Sequence, residues 1–315
     1  MVAACDRLFG VEENPVPEGA AVHLLCTADG RTLRSAYVPV EGAARGTVLI
    51  LPGRSEFIEK YFETVEALRG RGFAVMVCDW RGQGGSEREL TNRLKGHIDD
   101  FALYRHDLDA MLAHLAATDA PAPWHALAHS MGAAILIDAL ADGEARFSRA
   151  VLSAPMVAIH GAPAQGWGAR LALALNLIGL GGAFVPFSGD KAASAFAPFP
   201  GNVLTSDPAR YERSIHVLTA AETLALGPPT ISWAAAAFRL IRRMASPGYG
   251  LAVRCPSLFI VAGADRVVSS PAAEALAARM RGASCVVIEG AKHEVLMEQD
   301  RYRDQVWSAI DAFIH

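Results

Sequence analysis

Short runs that stay apolar through their centres, instead of alternating with polar residues, constrain this chain more than any other feature. Thr47-Val48-Leu49-Ile50-Leu51, Ala74-Val75-Met76-Val77-Cys78 and Ser257-Leu258-Phe259-Ile260-Val261 are of this kind, as are 124–128, 150–153 and 284–288. A strand with one wet face alternates; a strand without alternation is covered on both faces. Helical patterns at 57–69, 99–117, 271–280 and 300–313 separate these runs, and a pair of strands at 22–28 and 33–38 opens the chain. The expected architecture is α/β: a mostly parallel central sheet with helices on both faces. With 315 residues, 52% of them hydrophobic, the chain can bury a large core.

The alternation stops between Pro155 and about Gly250. Helical patterns there are separated by Gly- and Pro-rich turns such as Ala197-Pro198-Phe199-Pro200-Gly201. The expected organisation is therefore a core in two parts, 1–154 and 251–315, with a helical cap inserted at 155–250. A cap so placed covers the C-terminal edge of the sheet, where open α/β folds bind ligands. Its Trp167, Phe184, Phe187, Phe196, Phe199, Trp233 and Phe238 suit an acyl chain, and equally suit packing on the core. The uncharged stretch 171–185 is too short, at about 1.5 Å per residue, to cross roughly 30 Å of hydrocarbon. It is expected to be a buried cap helix, an apolar wall for an acyl chain, or a surface that touches membranes.

Chemistry concentrates at Ala128-His129-Ser130-Met131-Gly132, where an apolar strand turns into a helix that starts with small residues. A sharp strand-to-helix turn exposes the side chain at its apex, and small neighbours two positions away let the chain bend that tightly. A serine hydroxyl needs a base, and the base needs an orienting acid. Asp265 follows the 257–261 strand, and His293 follows the 284–288 strand. The order Ser130, Asp265, His293 is that of nucleophile, acid and base in a sheet of this kind. His129 is expected to point away from the Ser130 hydroxyl, because neighbours on a strand face opposite sides. An oxyanion needs backbone N–H donors: one from Met131, after the serine, and one from Arg54 in the Leu51-Pro52-Gly53-Arg54-Ser55-Glu56 loop. An ion pair between Glu56 and Arg81 is expected to brace that loop.

Composition excludes other classes. A net charge of −4 and the lack of any basic run give no footprint for nucleic acid. The first 22 residues lack the basic start and apolar centre of a secretory signal, so the expected compartment is the cytoplasm, with contact at the inner face of the membrane through the cap. Cys5, Cys26, Cys78, Cys255 and Cys285 are scattered and odd in number, which predicts reduced, mostly buried thiols. No metal or cofactor is called for.

Together with Asp79-Trp80-Arg81-Gly82-Gln83-Gly84-Gly85-Ser86 and Gly96-His97-Ile98, these segments resemble the serine α/β-hydrolases. Within them the chain is similar to the monoacylglycerol lipase and bacterial lysophospholipase group, also classed with serine aminopeptidase-like hydrolases. The resemblance implies the α/β-hydrolase fold with a helical cap and hydrolysis of ester bonds in single-chain glycerolipids. It implies Ser130 as nucleophile, Asp265 as acid, His293 as base, and Arg54 and Met131 as oxyanion donors. Pro52 and Gln83 stand where histidines are common in the group, and Ala128 where glycine is. A small-ester carboxylesterase, an acyltransferase with the same triad and a non-catalytic binding scaffold are the alternative readings.

Overall fold

The computed structural model describes residues 3–162, 166–186, 188 and 196–314. Eight strands, β1 (Ala21–Cys26), β2 (Thr32–Val38), β3 (Gly46–Leu51), β4 (Phe73–Cys78), β5 (Trp124–His129), β6 (Arg149–Ser153), β7 (Ser257–Ala262) and β8 (Ala283–Ile288), form one sheet. Their spatial order is β1-β2-β4-β3-β5-β6-β7-β8. β2 runs antiparallel to β1 and β4, and every other pairing is parallel.

The apolar runs split their side chains between two cores, as the lack of alternation requires. On one face α2 (Tyr104–Ala117), α3 (Ser130–Ala141) and α7 (Ser270–Ala277) pack against Leu49, Leu51 and Met76. On the other, α1 (Phe62–Arg69) and α8 (Asp300–Phe313) pack against Val48, Ile50 and Val77. The edges depart from the expectation. β8 is half-exposed despite its apolar sequence, because no strand pairs with its outer side. Cys285 on β8 and Cys26 on β1 are accordingly exposed, Cys5 is partly exposed, and only Cys78 and Cys255 are buried; all five are free thiols.

Between β6 and β7 the described residues hold no strand of the sheet but three helices: α4 (Trp167–Leu175), α5 (Pro208–Ala220) and α6 (Ile231–Met244). Asp207 caps α5 by accepting from the Arg210 amide, and Thr230 caps α6 by accepting from Trp233. Charged side chains tie this insert to the core. Glu63 of α1 receives Arg210 at 2.7 Å and Arg213 at 2.5 Å from α5, and Arg243 of α6 reaches Asp138 at 3.2 Å.

The stretch 171–185 is not one helix. After α4 a π-type turn, Asn176–Leu180, is broken by Gly179 at φ 86°, a left-handed conformation that favours glycine. Trp167, Leu171, Leu177, Ile178 and Leu180 point to solvent, so the buried-helix expectation fails here. Phe187 lies outside the described residues. No helix among the described residues is long and apolar enough to cross a membrane.

Candidate active site

β5 delivers Ser130 to the C-terminal edge of the sheet, and the turn into α3 forces its backbone to φ 50°. A non-glycine residue in that region is strained. The surroundings hold it there: the Met156 amide donates to the Ser130 carbonyl at 3.1 Å, and Gly132 nestles under Leu51 and Pro52. Ala128 is fully buried at the position two before the serine, so a methyl group is accommodated where glycine is the group's habit.

Loops after β7 and β8 bring the other two residues to it. Ser130 Oγ lies 3.0 Å from His293 Nε2, and His293 Nδ1 lies 2.8 Å from Asp265 Oδ2. The second Asp265 oxygen accepts from the amides of Val267 at 2.7 Å and Val268 at 3.0 Å. Burial acts to raise the Asp265 pKa, but the hydrogen bond and charge of His293 and these two amides outweigh it and hold the carboxyl below its usual range. An ionised Asp265 fixes the proton on His293 Nδ1, leaving Nε2 free to accept from the serine hydroxyl. All three residues are nearly buried.

A family model described as serine aminopeptidase, S33, matches residues 42–300. The chain belongs to that family. It is 30% identical over 291 residues to a probable lysophospholipase L2 of Haemophilus influenzae, covering 90% of each chain. It is 31% identical over 284 residues to lysophospholipase L2 of Escherichia coli, covering 85% of this chain and 80% of that one. Among solved structures, a soluble variant of monoglyceride lipase from Saccharomyces cerevisiae, in complex with a substrate analogue, has a TM-score of 0.73 at 18% identity. That match covers 95% of this chain and 94% of the other. The chain is thus an ester hydrolase of the α/β-hydrolase fold.

The hydrolase braces its Leu51–Glu56 loop differently from the expected ion pair. Arg81 does not meet Glu56; it is held between Asp29 at 2.6 Å and Asp107 at 2.7 Å. Glu56 instead folds back on its own loop, accepting from the Gly53 amide and from the Tyr61 hydroxyl at 2.6 Å. Lys60 lies 2.9 Å from Glu56 and 2.5 Å from Glu294, the residue after His293, and so joins the two loops that flank Ser130. Burial acts to raise the Glu56 pKa, but the charge of Lys60 and the Tyr61 hydrogen bond outweigh it and hold the carboxyl well below its usual range.

The Asp79–Ser86 segment supplies the remaining braces. Trp80 Nε1 donates to the Pro52 carbonyl and Gln83 Nε2 to the Gly53 carbonyl, each at 2.8 Å. Asp79 accepts from the Ile58 and Gly85 amides and pairs with buried Arg34, which also grips Glu59. Gln83, where a histidine is common, therefore works through its amide as a donor to the loop.

His129 meets its expectation only in part. It makes no hydrogen bond to Ser130, but its ring lies 4.8 Å from that of His293 and lines the same cavity. Its Nδ1 is 3.3 Å from Ser153 Oγ, and burial lowers its pKa to about 4, so it is neutral near pH 7. Ser130 is not on the strand's pleat, having left it at the elbow, so strand alternation does not separate the two side chains.

The cavity above Ser130 has a volume of about 470 Å³, within the usual range for small-ligand sites. Its walls are aliphatic more than aromatic: Met156, Ile159, Ile215, Leu218, Leu226 and Val268 line it, with Tyr211 and Trp233 as aromatic residues from the insert and Phe57 from the core. Trp167 is exposed, Phe199 packs edge-to-face against Tyr211, and Phe238 is buried.

Proposed function

We propose that the hydrolase cleaves single-chain glycerolipids, lysophospholipids or monoacylglycerols, through an acyl-enzyme formed on Ser130. The carrying observation is the continuous hydrogen-bond chain Ser130–His293–Asp265 at the floor of an apolar cavity. In this reading His293 Nε2 takes the serine proton as Oγ attacks the ester carbonyl, and Asp265 stabilises the imidazolium. The backbone N–H groups of Arg54 and Met131 receive the oxyanion. His293 then gives its proton to the leaving glycerol oxygen and activates the water that releases the fatty acid. The segment 155–250 acts as the cap whose α5 walls the acyl chain through Ile215 and Leu218. The chemistry as written uses no cofactor.

Two features support a lipid substrate over a small ester. The relatives matched over most of their length are named lysophospholipases. The cavity walls offer aliphatic surface, each buried CH₂ being worth about 0.8 kcal/mol. A fluorophosphonate probe should label Ser130, seen in the tryptic peptide by mass spectrometry. Monoacylglycerols, lysophospholipids and p-nitrophenyl esters of increasing chain length should show kcat/KM rising with the chain. A preference for acetyl and butyryl esters makes it a small-ester carboxylesterase instead, and acyl-glycerol products on adding glycerol make it an acyltransferase.

The cap also supports contact with a lipid surface. Trp167, Leu177 and Ile178 are 80%, 85% and 71% exposed, on α4 and the turn after it, both packed against α6, which supplies Trp233 to the cavity. Asp190 is the sole acidic residue from 158 to 206, so little charge opposes an anionic leaflet. Leu177→Ser/Ile178→Ser should lose sedimentation with phosphatidylglycerol vesicles while hydrolysing monomeric p-nitrophenyl butyrate as before. Unchanged sedimentation removes this contact from the reading.

A further inference from the structure

Arg54 is a cation inside the cavity that lacks a counter-ion. Its Nη2 donates to the Gly227 carbonyl at 2.6 Å and its Nη1 to Ser55 Oγ at 2.9 Å, both neutral acceptors, and its buried Nε has no partner. The guanidinium lies over the Trp233 ring, 5.2 Å from its centre, within cation–π range. Gly96 makes room for it, since a Cβ there would come within 2.5 Å of Nη2. Among the described residues no carboxylate pairs with Arg54, whereas buried Arg34 and Arg81 are each held between two. The two carboxylates that share its cavity, Glu56 and Glu294, are engaged by Lys60.

A desolvated guanidinium without an anion is costly, and burial draws the Arg54 pKa down to about 10. A built, neutral cradle around an unpaired cation is what an anionic ligand group completes. The position narrows the choice of anion. Arg54 is also the residue whose backbone N–H is proposed to meet the reacting carbonyl, and its side chain crosses the cavity to Gly227 and Trp233; this side of the ester is taken as the one that receives the glycerol and what the glycerol carries. In a single-chain phospholipid, the charge found there is a phosphodiester.

We infer that Arg54 is the specificity-determining anchor for the phosphodiester of a lysophospholipid, favouring it over a monoacylglycerol with the same acyl chain. The inference rests on the glycerolipid reading above. Guanidinium Nη1 and Nη2 exchange or share their present neutral acceptors with phosphate oxygens, and Ser55 Oγ is placed to donate to the same group. No bond is made or broken at this site; it only orients the substrate.

The measurement is the ratio of kcat/KM for 1-octanoyl-lysophosphatidylglycerol to that for 1-octanoylglycerol, both kept monomeric. Because the acyl-transfer step is common to both, any general damage cancels. Arg54→Met should lower the ratio about 10- to 100-fold, the range of a charge-assisted hydrogen bond pair, and Arg54→Lys should recover part of it. Gly96→Ala, which crowds Nη2 without removing the cation, should lower it in the same direction and covers the case in which Arg54→Met fails to fold. A ratio that moves less than threefold in both variants overturns the anchor and leaves Arg54 as a tether between the loop and Gly227. Weaker inhibition by octanoate with an unmoved ratio overturns it too, assigning the cation to the released fatty acid. A wild-type enzyme that hydrolyses neither lipid but turns over p-nitrophenyl butyrate removes the glycerolipid reading itself, a different result from an active lysophospholipase whose ratio is unmoved.

Discussion

Ser130→Ala is expected to lower kcat on every ester by roughly 10⁴–10⁶-fold, with the thermal unfolding profile unchanged. The loss is that large because, in the proposed mechanism, His293 and Asp265 act only through the serine oxygen 3.0 Å from Nε2. What survives is what binding and the oxyanion donors contribute without a nucleophile, a residual of about 10³-fold over water. Alanine suits the φ of 50° no worse than serine does, so the fold has no reason to respond. Asp265→Asn provides the companion result. Its amide can present an N–H to His293 Nδ1, which moves the ring proton to Nε2 and leaves no acceptor for the serine, at a cost of roughly 10⁴-fold in kcat. Steady-state kinetics on p-nitrophenyl butyrate, with enzyme concentration taken from protein absorbance, measures both. Turnover by Ser130→Ala within tenfold of the wild type sinks the acyl-enzyme reading, and with it the roles given to His293 and Asp265.

Much of this architecture is legible in the sequence because parallel strands advertise their double burial. β3, β4 and β7 are buried along their whole length, and their residues carry no alternation for a wet face. β8 looks the same in sequence but lies at an edge, and edge position follows from strand order, which no local pattern encodes. Ser130, Asp265 and His293 are legible for a related reason: each sits just past the end of an apolar run, where this topology gathers loops. The Glu56–Arg81 expectation fails because pairing by charge alone ignores competition. Arg81 has Asp29 and Asp107 closer at hand, and Glu56 has Lys60 four residues on. Lys60 itself gave no signal, since a lysine four residues after a glutamate reads as an ordinary exposed helix pair. Its role depends on Glu294, more than two hundred residues away in the chain.

The loop that Arg54 occupies connects these findings. Trp80, Gln83, Glu56 and Tyr61 hold its backbone from behind, while the Arg54 side chain lies across its front, in the cavity. Such a loop can present an N–H at a fixed place because four separate side chains determine its position. The motif from Asp79 to Ser86 therefore belongs to the site although none of its residues lines the cavity.

Gly132→Ala should uncouple this arrangement from the nucleophile. A Cβ on residue 132 would lie 2.3 Å from the Leu51 carbonyl oxygen and 2.5 Å from that of Pro52. Both are backbone atoms, and Pro52 is further fixed by the Trp80 hydrogen bond, so the contact cannot be relieved by rotating a side chain. The first turn of α3 must then move off the end of β3, carrying Ser130 and Met131 away from the Gly53-Arg54 loop. Overpacking of this kind costs about 1–3 kcal/mol of stability. The displacement of one proposed oxyanion donor relative to the other should cost about 10²–10³ in kcat. Gly168→Ala is the matched control: it also lies in a helix, α4, and nothing stands within 4 Å of its added Cβ. Replacing that glycine should leave activity as it is and raise stability by about 0.4–1 kcal/mol, through the lost freedom of the unfolded chain. Urea unfolding and kcat at a temperature where both variants are folded separate the two terms. Wild-type kcat in a folded Gly132→Ala protein means that the elbow and the oxyanion loop are not held in contact by this glycine, and the close approach at Leu51 and Pro52 has no part in catalysis.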